Sequence, residues 1–299
     1  MAMSAEPTGP RLRVGVISAG RVGAVLGAAL QRVGHEVVAV SAVSDASLRR
    51  AEELLPGVPV EPPDAVAGKA ELLVLAIPDD AIPGMVQGLV TADALHGSQL
   101  IMHTSGSQGV TALEPAAAIG ALPMAMHPAM TFTGRAEDVQ RLSDACMVIT
   151  ANELTGWSVA ESIAIELGME PVRLPEEARP LYHAALTHGA NHLITLVNEC
   201  QQLLRDAGVE VPGRVMAPLL SASLDNALRL GDRAYTGPVV RGDSGTVRGH
   251  LRALSDADPD VVPGYRELAR RTAVRAERSG LLRGDVAARV HEALDEEQA

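Results

Sequence analysis

Hydrophobic positions form short, uninterrupted runs over the first half of the chain, and segments with helical spacing separate them. Such runs are typical of parallel strands that are buried on both faces of a sheet. The predicted strands are Leu12 to Ile17, Glu36 to Val40, Leu72 to Ile77, Gln99 to His103, Cys146 to Thr150 and Pro171 to Leu174. Strands that alternate with helices predict a doubly wound α/β sheet, whose ligand crevice lies at the carboxyl ends of the strands.

From about Pro175 the apolar residues follow helical spacing only. The predicted helices are Ala178 to Ala207, Val211 to Leu230, Ser244 to Leu254, Pro263 to Ser279 and Gly284 to Glu297. The pattern therefore predicts three segments: a disordered tail over residues 1–10, an α/β domain over 11–176, and an all-helical domain over 177–299.

Composition narrows the class of protein. The chain has 299 residues, 47% of them hydrophobic, and its formal net charge of −12 disfavours nucleic acid and anionic membranes as main partners. Its apolar runs are shorter than a membrane helix, and residues 1–10 lack the apolar centre of a signal peptide. The two cysteines, Cys146 and Cys200, are far apart, as in proteins of a reducing compartment. We therefore expect a cytoplasmic globular protein.

The segment VGVISAGRVG, Val14 to Gly23, joins the first strand to the first helix and is close to the dinucleotide fingerprint G-x-G-x-x-G. Ser18 replaces the first glycine, which serves a tight turn, whereas Gly20 and Gly23 keep the other two places. Ser18 can serve there if its backbone stays within the range of non-glycine residues, and its hydroxyl can help to bind phosphate. The residues expected to contact the nucleotide are Ser18, Ala19, Gly20, Arg21 and Val22.

The end of the second strand indicates which nicotinamide cofactor this turn binds. An acidic residue there would bind the adenosine ribose of NAD, but Ser41 stands at this place. Without a carboxylate the 2′-phosphate of NADP(H) is not repelled, and Ser41 and Ser44 with Arg21 or Arg49 can bind it. The prediction is NADP(H), with one alternative: a strand that ends a few residues later would bring Asp45 to this place.

Two further strand ends carry candidate contacts. In IPDDAI, Ile77 and Pro78 are expected to flank the nicotinamide ribose, and a plain strand-ending turn is an equal alternative. In HTSG, Ser105 and Gly106 can offer a hydroxyl and an unhindered backbone N–H to the substrate or the nicotinamide. His103 is expected to be a packed strand residue.

Two more motifs are candidates for substrate binding. In HPAMTF, Pro128 restricts His127 to an extended backbone, which either fixes the imidazole at the mouth of the crevice or only shapes a loop. In TGPVVRGD, Arg241 can clamp a substrate carboxylate. Alternatively, Asp243 pairs with Arg241 or caps the helix that begins near Ser244.

Six motifs occur in the order found in one bacterial family: VGVISAGRVG, LLVLAIPDDAI, HTSGSQG, HPAMTF, LYHAALTHGANHL and TGPVVRGDSGTVRGHL. The chain resembles bacterial proteins that pair a Rossmann-like domain with a C-terminal helical domain of unknown function. That family is similar to the 6-phosphogluconate-dehydrogenase-like superfamily, which includes ketopantoate reductase, pyrroline-5-carboxylate reductase and hydroxyisobutyrate dehydrogenase. The resemblance extends from about Arg11 to Leu254. It implies an NADP-binding domain over residues 11–176 and a helical domain over 177–299 that binds substrate and forms a homodimer.

The resemblance also implies catalytic residues on the helix that contains LYHAALTHGANHL. Relatives in the superfamily commonly carry a lysine there and an asparagine four residues later. Asn191 matches the asparagine, but Thr187 stands at the lysine position. Lys69 is the only lysine of the chain, so His183, four residues before Thr187, is the candidate proton donor. In a regular α-helix the three residues share one face, which could alternatively be a packing face.

Together these motifs predict an NADPH-dependent reductase, and the resemblance implies a small 2-oxo acid as its substrate, with ketopantoate as the first candidate. One alternative is an imine reductase of the pyrroline-5-carboxylate type, because an imine can arrive already protonated. The other is a regulatory protein that binds a nucleotide without catalysis, since Ser18 and the missing lysine both depart from the pattern. No metal site is predicted, because His188 and His192 have a zinc-like spacing without a third ligand. An apolar stripe requires a covering surface, which is either the second copy that the resemblance implies or the rest of its own domain; it consists of Leu219, Leu220, Leu224 and Leu228.

Overall fold

The structure is a computed structural model that describes residues 10–296. It divides into two compact units, Met1–Thr187 and His188–Ala299. The strands of the described residues all belong to the first unit, and the second consists of helices. This confirms the predicted fold class, an α/β domain followed by an all-helical domain. The predicted tail over residues 1–10 lies outside the described residues, apart from Pro10.

A seven-stranded sheet forms the centre of the first unit. Its strands are β1 Arg13–Ile17, β2 Glu36–Val40, β3 Leu72–Leu75, β4 Leu100–His103, β5 Leu122–Pro128, β6 Cys146–Ala151 and β7 Glu170–Arg173. They lie in the order β2-β1-β3-β4-β5-β6-β7, and neighbours are parallel except for β5 and β6. β2 lies on one side of β1, and β3 with the later strands lies on the other. The topological switch point, at which such sheets bind nucleotides, therefore lies between β1 and β3.

The helices of the first unit are α1 Arg21–Arg32, α2 Asp45–Leu54, α3 Pro63–Lys69, α4 Ile82–Thr91, α5 Glu114–Ala118, α6 Ala136–Arg141, α7 Glu153–Glu166 and α8 Arg179–Leu186. Those of the second unit are α9 His192–Asp206, α10 Pro212–Leu230, α11 Pro238–Arg241, α12 Ser244–Ala257, α13 Val262–Arg278 and α14 Gly284–Asp295. A π-helical turn, Thr187–Asn191, stands between α8 and α9.

The central strands fill two cores, one on each face of the sheet. Leu72 and Val74 of β3 belong to one core, whereas Leu73 and Leu75 belong to the other. All four side chains are fully buried. Since successive side chains of a strand point to opposite faces, a strand covered on both sides must be apolar throughout. This is the physical reason for the uninterrupted apolar runs in the sequence.

The sequence pattern did not reveal β5. Its segment contains Pro123 and Pro128, and proline inside an apolar run argues against a central strand. In the structure β5 pairs with β4 in parallel and with β6 in antiparallel orientation. The two prolines stand near the ends of the strand, where fewer bonds of the ladder are lost. His127 therefore belongs to a central strand, and the alternative that it only shapes a loop was wrong.

The predicted helix Ala178 to Ala207 is not regular. The π turn Thr187–Asn191 interrupts it, and a π turn forms i→i+5 bonds and is wider than an α turn. Four residues still span close to one full turn in either geometry. That His183, Thr187 and Asn191 share one face stays a prediction.

The second unit has a compact core and an exposed apolar helix. Val247 of α12, Ala273 of α13 and Val290 of α14 are fully buried in the core. By contrast, Leu224 and Leu228 of α10 are exposed. Within residues 10–296, no helix combines the length and the apolar character that crossing a membrane requires.

Candidate functional site

The turn after β1 is strained at Ser18. The φ angle of Ser18 is +78°, in the left-handed region that favours glycine, so the backbone does not stay within the usual range of non-glycine residues. The Ser18 N–H donates to Ser41 Oγ at 2.9 Å, and the Ala19 N–H donates to the Ser41 carbonyl at 2.7 Å. These two bonds hold the turn in the conformation that a glycine would adopt without strain.

The start of α1 fits the pyrophosphate of a dinucleotide. A Cβ on Gly23 would lie 2.1 Å from the Ser18 carbonyl oxygen, so only glycine allows this contact between turn and helix. Gly20 precedes the helix with an extended backbone, and the first turn has no acidic residue. The N–H groups of the first helical residues, among them Arg21 and Val22, have no partner within the helix and favour an anion.

The serines expected at the 2′-phosphate have their hydroxyls engaged within the protein. Ser41 is 7% exposed, and its Oγ accepts the bond from the Ser18 N–H. Ser44 caps α2, and its Oγ accepts a bond from the Ser47 N–H at 3.1 Å. Asp45 is the first residue of α2 and does not follow β2 directly. No carboxylate therefore stands at the end of the second strand.

Two arginines lie beside Gly134, in the loop between β5 and α6. A Cβ on Gly134 would lie 2.7 Å from Arg50 Nε and 3.2 Å from Arg21 Cγ. Asp138 holds this loop by accepting a bond from the Gly134 N–H at 2.8 Å. Arg21 was expected near the nucleotide. The second arginine of the pair is the half-buried Arg50, whereas its neighbour Arg49, named from the sequence, is exposed.

Ile77 and Pro78 follow β3, which ends two residues earlier than predicted. Ile77 packs against one of the cores of the sheet, and Pro78 is exposed just before the short 3₁₀ helix Asp79–Ala81. Both lie at the carboxyl edge of the sheet, beside the switch point. Their contact with a nicotinamide ribose stays a prediction.

The Ser105 hydroxyl stabilises the loop after β4 through hydrogen bonds. Ser105 is 4% exposed, and its Oγ accepts N–H bonds from Ser107 at 3.2 Å and from Gln108 at 3.0 Å. The Ser107 hydroxyl in turn donates to Asp79 Oδ2 at 2.5 Å. The hydroxyl that the sequence offered to a ligand thus already serves two backbone groups of its own loop.

His103, the last residue of β4, is fully buried. Its Nε2–H donates to the Gly109 carbonyl at 2.8 Å, and its Nδ1 accepts a bond from the Ser105 N–H at 3.2 Å. Burial lowers the pKa of His103 to about 4, although the bond to Gly109 opposes this effect. His103 is therefore the packed, neutral strand residue that the sequence predicted.

Two histidine rings meet at Gly106, and a tyrosine contacts one of them; we call His127, Tyr182 and His183 the His–Tyr cluster. His127 Nδ1 and Tyr182 Oη are 2.8 Å apart, and the ring centroids of His127 and His183 are 6.2 Å apart. A Cβ on Gly106 would lie 2.7 Å from His183 Cδ2 and 3.1 Å from His127 Nε2. The cluster therefore requires glycine at this position. All three side chains are half-buried, so a ligand can reach them.

Arg179, the first residue of α8, binds the loop after β4 and the strands β5 and β6. Its side chain has no exposed area. The guanidinium donates to Thr150 Oγ1 at 2.7 Å, to the Ser105 and Ala125 carbonyls at 2.8 Å each, and to the Val148 carbonyl at 3.2 Å. None of these partners is a carboxylate. Burial lowers the pKa of Arg179 to about 10, so the guanidinium remains charged at neutral pH.

Burial and this charge set the ionisation of the His–Tyr cluster. Burial lowers the pKa of His127 to about 4, helped by Arg179 and His183 and opposed by Asp79. Burial raises the pKa of Tyr182 to about 12, and the Arg179 charge opposes this effect. At neutral pH, His127 is thus a neutral imidazole and Tyr182 a protonated phenol.

The remaining predicted residues lie elsewhere along the chain. Thr187 is the last residue of the first unit, and Asn191 is an exposed residue of the second. In the second unit, Arg241 Nε donates to Asp243 Oδ2 at 3.0 Å, and both side chains are exposed. The pairing foreseen as an alternative is therefore present. Asp243 makes no side-chain capping bond to α12, so that expectation was wrong; its carboxylate binds the arginine instead.

His188 and His192 contact each other edge to face, with ring centroids 5.5 Å apart. Over residues 10–296, no group of three or more histidine, cysteine or acidic side chains is arranged to hold a metal ion.

Two family models match the chain. A Rossmann-like domain matches residues 2–128, and a domain of unknown function, DUF2520, matches residues 145–272. The chain pairs a Rossmann-like domain with a DUF2520 domain. This confirms the resemblance that the six motifs indicated.

Several solved structures share the fold. A proposed NADP oxidoreductase from Bacteroides fragilis is 25% identical with a TM-score of 0.75, over 88% of this chain and 98% of that chain. The pyrroline carboxylate reductase of Plasmodium falciparum, solved with NADP bound, is 11% identical with a TM-score of 0.54, over 93% and 98%. An imine reductase from Streptomyces aurantiacus is 14% identical with a TM-score of 0.58, over 94% and 98%. The last two are alike in fold alone. No curated protein sequence gives a match.

Three residues of the first unit escaped the sequence analysis: Arg50, Arg179 and Tyr182. Arg179 looks like a solvated helical residue, because the pattern does not show that α8 starts at the sheet edge. The contact between Tyr182 and His127 could not be recognised without β5, since that strand places His127 beside α8. The adjacent His183 was the signal that could have pointed to Tyr182. Chemically, the cluster offers N–H and O–H groups at the carboxyl edge of the sheet.

Proposed function

We propose that this protein is an NADP(H)-dependent reductase of a small carbonyl or imine compound. The observation that carries the proposal is the His–Tyr cluster at the carboxyl ends of β4 and β5. The same unit holds the glycine turn at the end of β1, and ligands of such sheets bind at the carboxyl ends of their strands. The likeness to NADP oxidoreductases supports the same class of reaction.

The reaction needs two things from the chain. When bound, the reduced nicotinamide supplies a hydride to the carbon of the C=O or C=N bond. The oxygen or nitrogen then gains electrons and requires a hydrogen-bond donor and a proton. His127, Tyr182 and His183 carry N–H and O–H groups at the place where such a substrate would lie. No lysine is needed for this chemistry.

The preference for NADP(H) rests on charge at the end of β2. Ser41 follows the strand without a carboxylate, so a 2′-phosphate meets no like charge there. Arg21 and Arg50, which flank Gly134, supply positive charge for that phosphate. The serines contribute less than the sequence suggested, because their hydroxyls bind backbone groups.

The substrate class proposed first is a small 2-oxo acid, with ketopantoate as the first candidate. A cyclic imine acid of the pyrroline-5-carboxylate type is the second, and the shared fold of pyrroline carboxylate and imine reductases favours including it. The His–Tyr cluster suits both, because the C=O oxygen and the C=N nitrogen each need a proton.

Steady-state NADPH oxidation with a panel of 2-oxo acids and cyclic imines tests the proposal. We expect turnover with at least one compound and its loss in His127→Ala, with NADPH affinity unchanged in a calorimetric titration. A protein that binds NADPH and oxidises it with no compound of the panel would be the nucleotide-binding regulatory alternative. A protein that binds neither NADPH nor NADH would contradict both.

A further inference from the structure

The missing lysine leaves open which group gives the proton. The structure holds a hydrogen-bonded pair that can do so, His127 and Tyr182, with Nδ1 and Oη 2.8 Å apart. We propose that Tyr182 and His127 form a proton relay, in which His127 Nε2 protonates the substrate and Tyr182 replaces that proton through Nδ1. This inference rests on the proposed reductase function. It reassigns the role of acid from His183 to His127.

The geometry of the pair gives the relay its direction. A neutral imidazole carries one proton, on either Nδ1 or Nε2. When Nδ1 accepts the Tyr182 O–H bond, the proton must reside on Nε2. The Nε2 edge of His127 is the edge that faces Gly106, where a Cβ would be only 3.1 Å away. The pair thus directs an N–H group towards Gly106, which has no side chain to fill the space there.

The surroundings keep both groups in the required form. Burial holds the pKa of His127 at about 4 and that of Tyr182 at about 12, so neither ionises near neutral pH. The titratable groups that act on His127 are Arg179 and His183 of α8, which lower its pKa, and Asp79 after β3, which raises it. A neutral imidazole that donates from a buried site is an established way to polarise a carbonyl.

The relay balances in protons and electrons. A hydride adds two electrons to the carbonyl carbon, and the π pair moves to the oxygen. A new O–H bond forms as the Nε2–H bond of His127 breaks, and an Nδ1–H bond forms as the O–H bond of Tyr182 breaks. The imidazole stays neutral, and Tyr182 becomes a tyrosinate near the Arg179 charge. Solvent then supplies a proton to Nε2 while the Nδ1 proton returns to the Tyr182 oxygen, which restores the starting tautomer. Because Tyr182 acts through His127, it is a positioning residue and His127 is the catalytic one.

His183 has a different part in this arrangement. Its Cδ2 would lie 2.7 Å from a Cβ on Gly106, whereas His127 would place Nε2 at 3.1 Å and Cδ2 at 3.2 Å. His183 thus packs beside Gly106, and in the proposed relay the proton comes from His127 Nε2.

Nitrogen chemical shifts of the His127 ring test the relay without any substrate. In ¹⁵N NMR of the full chain at pH 7, we expect His127 to be neutral with its proton on Nε2. Tyr182→Phe removes the donor to Nδ1, so a mixture of the two tautomers should appear. A wild-type ring with its proton on Nδ1 would overturn the relay, whatever the activity.

The chain offers a matched control in its second unit. His250 Nδ1 and Tyr265 Oη are 2.9 Å apart, and burial raises the pKa of that phenol too. Tyr265→Phe therefore removes the same kind of bond outside the proposed site. We expect Tyr182→Phe to lower kcat roughly 100-fold, at the lower end of general acid catalysis, and Tyr265→Phe to leave it unchanged. Both variants should bind NADPH like the wild type.

The pH profile separates this relay from an imidazolium acid. A relay of neutral groups predicts a kcat that is flat from pH 6 to 9, whereas an acid that must be an imidazolium loses activity as pH rises through neutrality. An active wild type with an undiminished Tyr182→Phe variant would overturn the relay and leave the proposed function standing. A wild type inactive with every compound of the panel would overturn the proposed function. The ¹⁵N NMR measurement of the His127 tautomer would then be the test of whether Nε2 carries the proton.

Discussion

Arg179 donates a hydrogen bond to the Ser105 carbonyl at 2.8 Å and so ties the start of α8 to the loop after β4. The same guanidinium reaches Ala125 of β5 and Thr150 of β6. One buried side chain thus fixes the elements that carry His127 and Tyr182. An arginine can do this because its planar group has five N–H donors in a rigid arrangement, whereas a lysine has three donors on one nitrogen.

Removal of Arg179 should destabilise the protein strongly. Arg179→Met leaves several buried oxygen atoms without a donor, and each such group costs roughly 1–3 kcal/mol. We expect the free energy of unfolding in urea to fall by about 3 kcal/mol or more on this basis. Arg278→Met, an exposed residue of α13, is the control and should change it little. A loss below about 1 kcal/mol for Arg179→Met would contradict the structural role of these bonds.

The two arginines beside Gly134 should distinguish NADPH from NADH. A hydrogen bond to a charged group contributes roughly 1.5–3 kcal/mol, so Arg50→Ala should weaken NADPH binding about tenfold or more. NADH binding should be unaffected, because it has no 2′-phosphate. Arg49→Ala serves as the matched control from the next position of the same helix. Calorimetric titration of both cofactors measures these effects, and an equal loss for NADPH and NADH in Arg50→Ala would rule out a phosphate contact.

Two buried histidines should make the first unit sensitive to mild acid. Burial lowers the pKa of His103 and of His127 to about 4, whereas in the unfolded chain both are near 6.5. Between these values the unfolded chain binds more protons than the folded protein, so stability falls as pH falls from about 6.5 to about 4. His103 alone contributes roughly 3 kcal/mol to this loss.

Urea denaturation at pH 7 and pH 5 measures this dependence. His103→Gln keeps a polar side chain that does not titrate, so the difference between the two pH values should shrink. An unchanged difference in that variant would show that other groups cause the acid sensitivity.

Much of this fold was predictable, because a strand that is buried on both faces of the sheet has an uninterrupted apolar sequence. The run Leu72 to Leu75 is apolar at every position for that reason. The glycine turn was predictable because a Cβ has no room at Gly23. β5 was not predictable, because Pro123 and Pro128 argue against a strand locally and only its neighbours β4 and β6 stabilise it. The antiparallel pairing of β6 likewise has no local signal.

The candidate site was predictable only in part, for a related reason. His127 and His183 stand out as residue types, but their meeting at Gly106 depends on where β5 and α8 lie. The Ser41 hydroxyl was assigned to a ligand, since nothing local shows that Ser18 needs a hydrogen bond in its strained turn. The π turn Thr187–Asn191 also has no recognisable sequence pattern, so the sequence predicted one continuous α-helix there.

The exposed leucines of α10 should mediate a homodimer. Leu219, Leu224 and Leu228 are 64%, 54% and 79% exposed, and apolar side chains in such a row need a covering surface. Sedimentation at micromolar concentration should show a species of twice the chain mass of 31.1 kDa. Leu228→Glu should shift it towards the monomer, whereas Leu154→Glu, at an exposed leucine of α7, should not. A wild-type protein that sediments only as a monomer would contradict this prediction.

The most direct test of the reductase account is the transfer of deuterium from C4-deuterated NADPH to the product. The compound of the panel that gives the highest turnover is incubated with the wild-type protein, and the product is examined by mass spectrometry. The account predicts that each product molecule gains one deuterium from the cofactor and that Tyr182→Phe slows this transfer without changing its extent at completion. A reduced product that carries no deuterium, from either face of the labelled nicotinamide, would contradict hydride transfer by this protein.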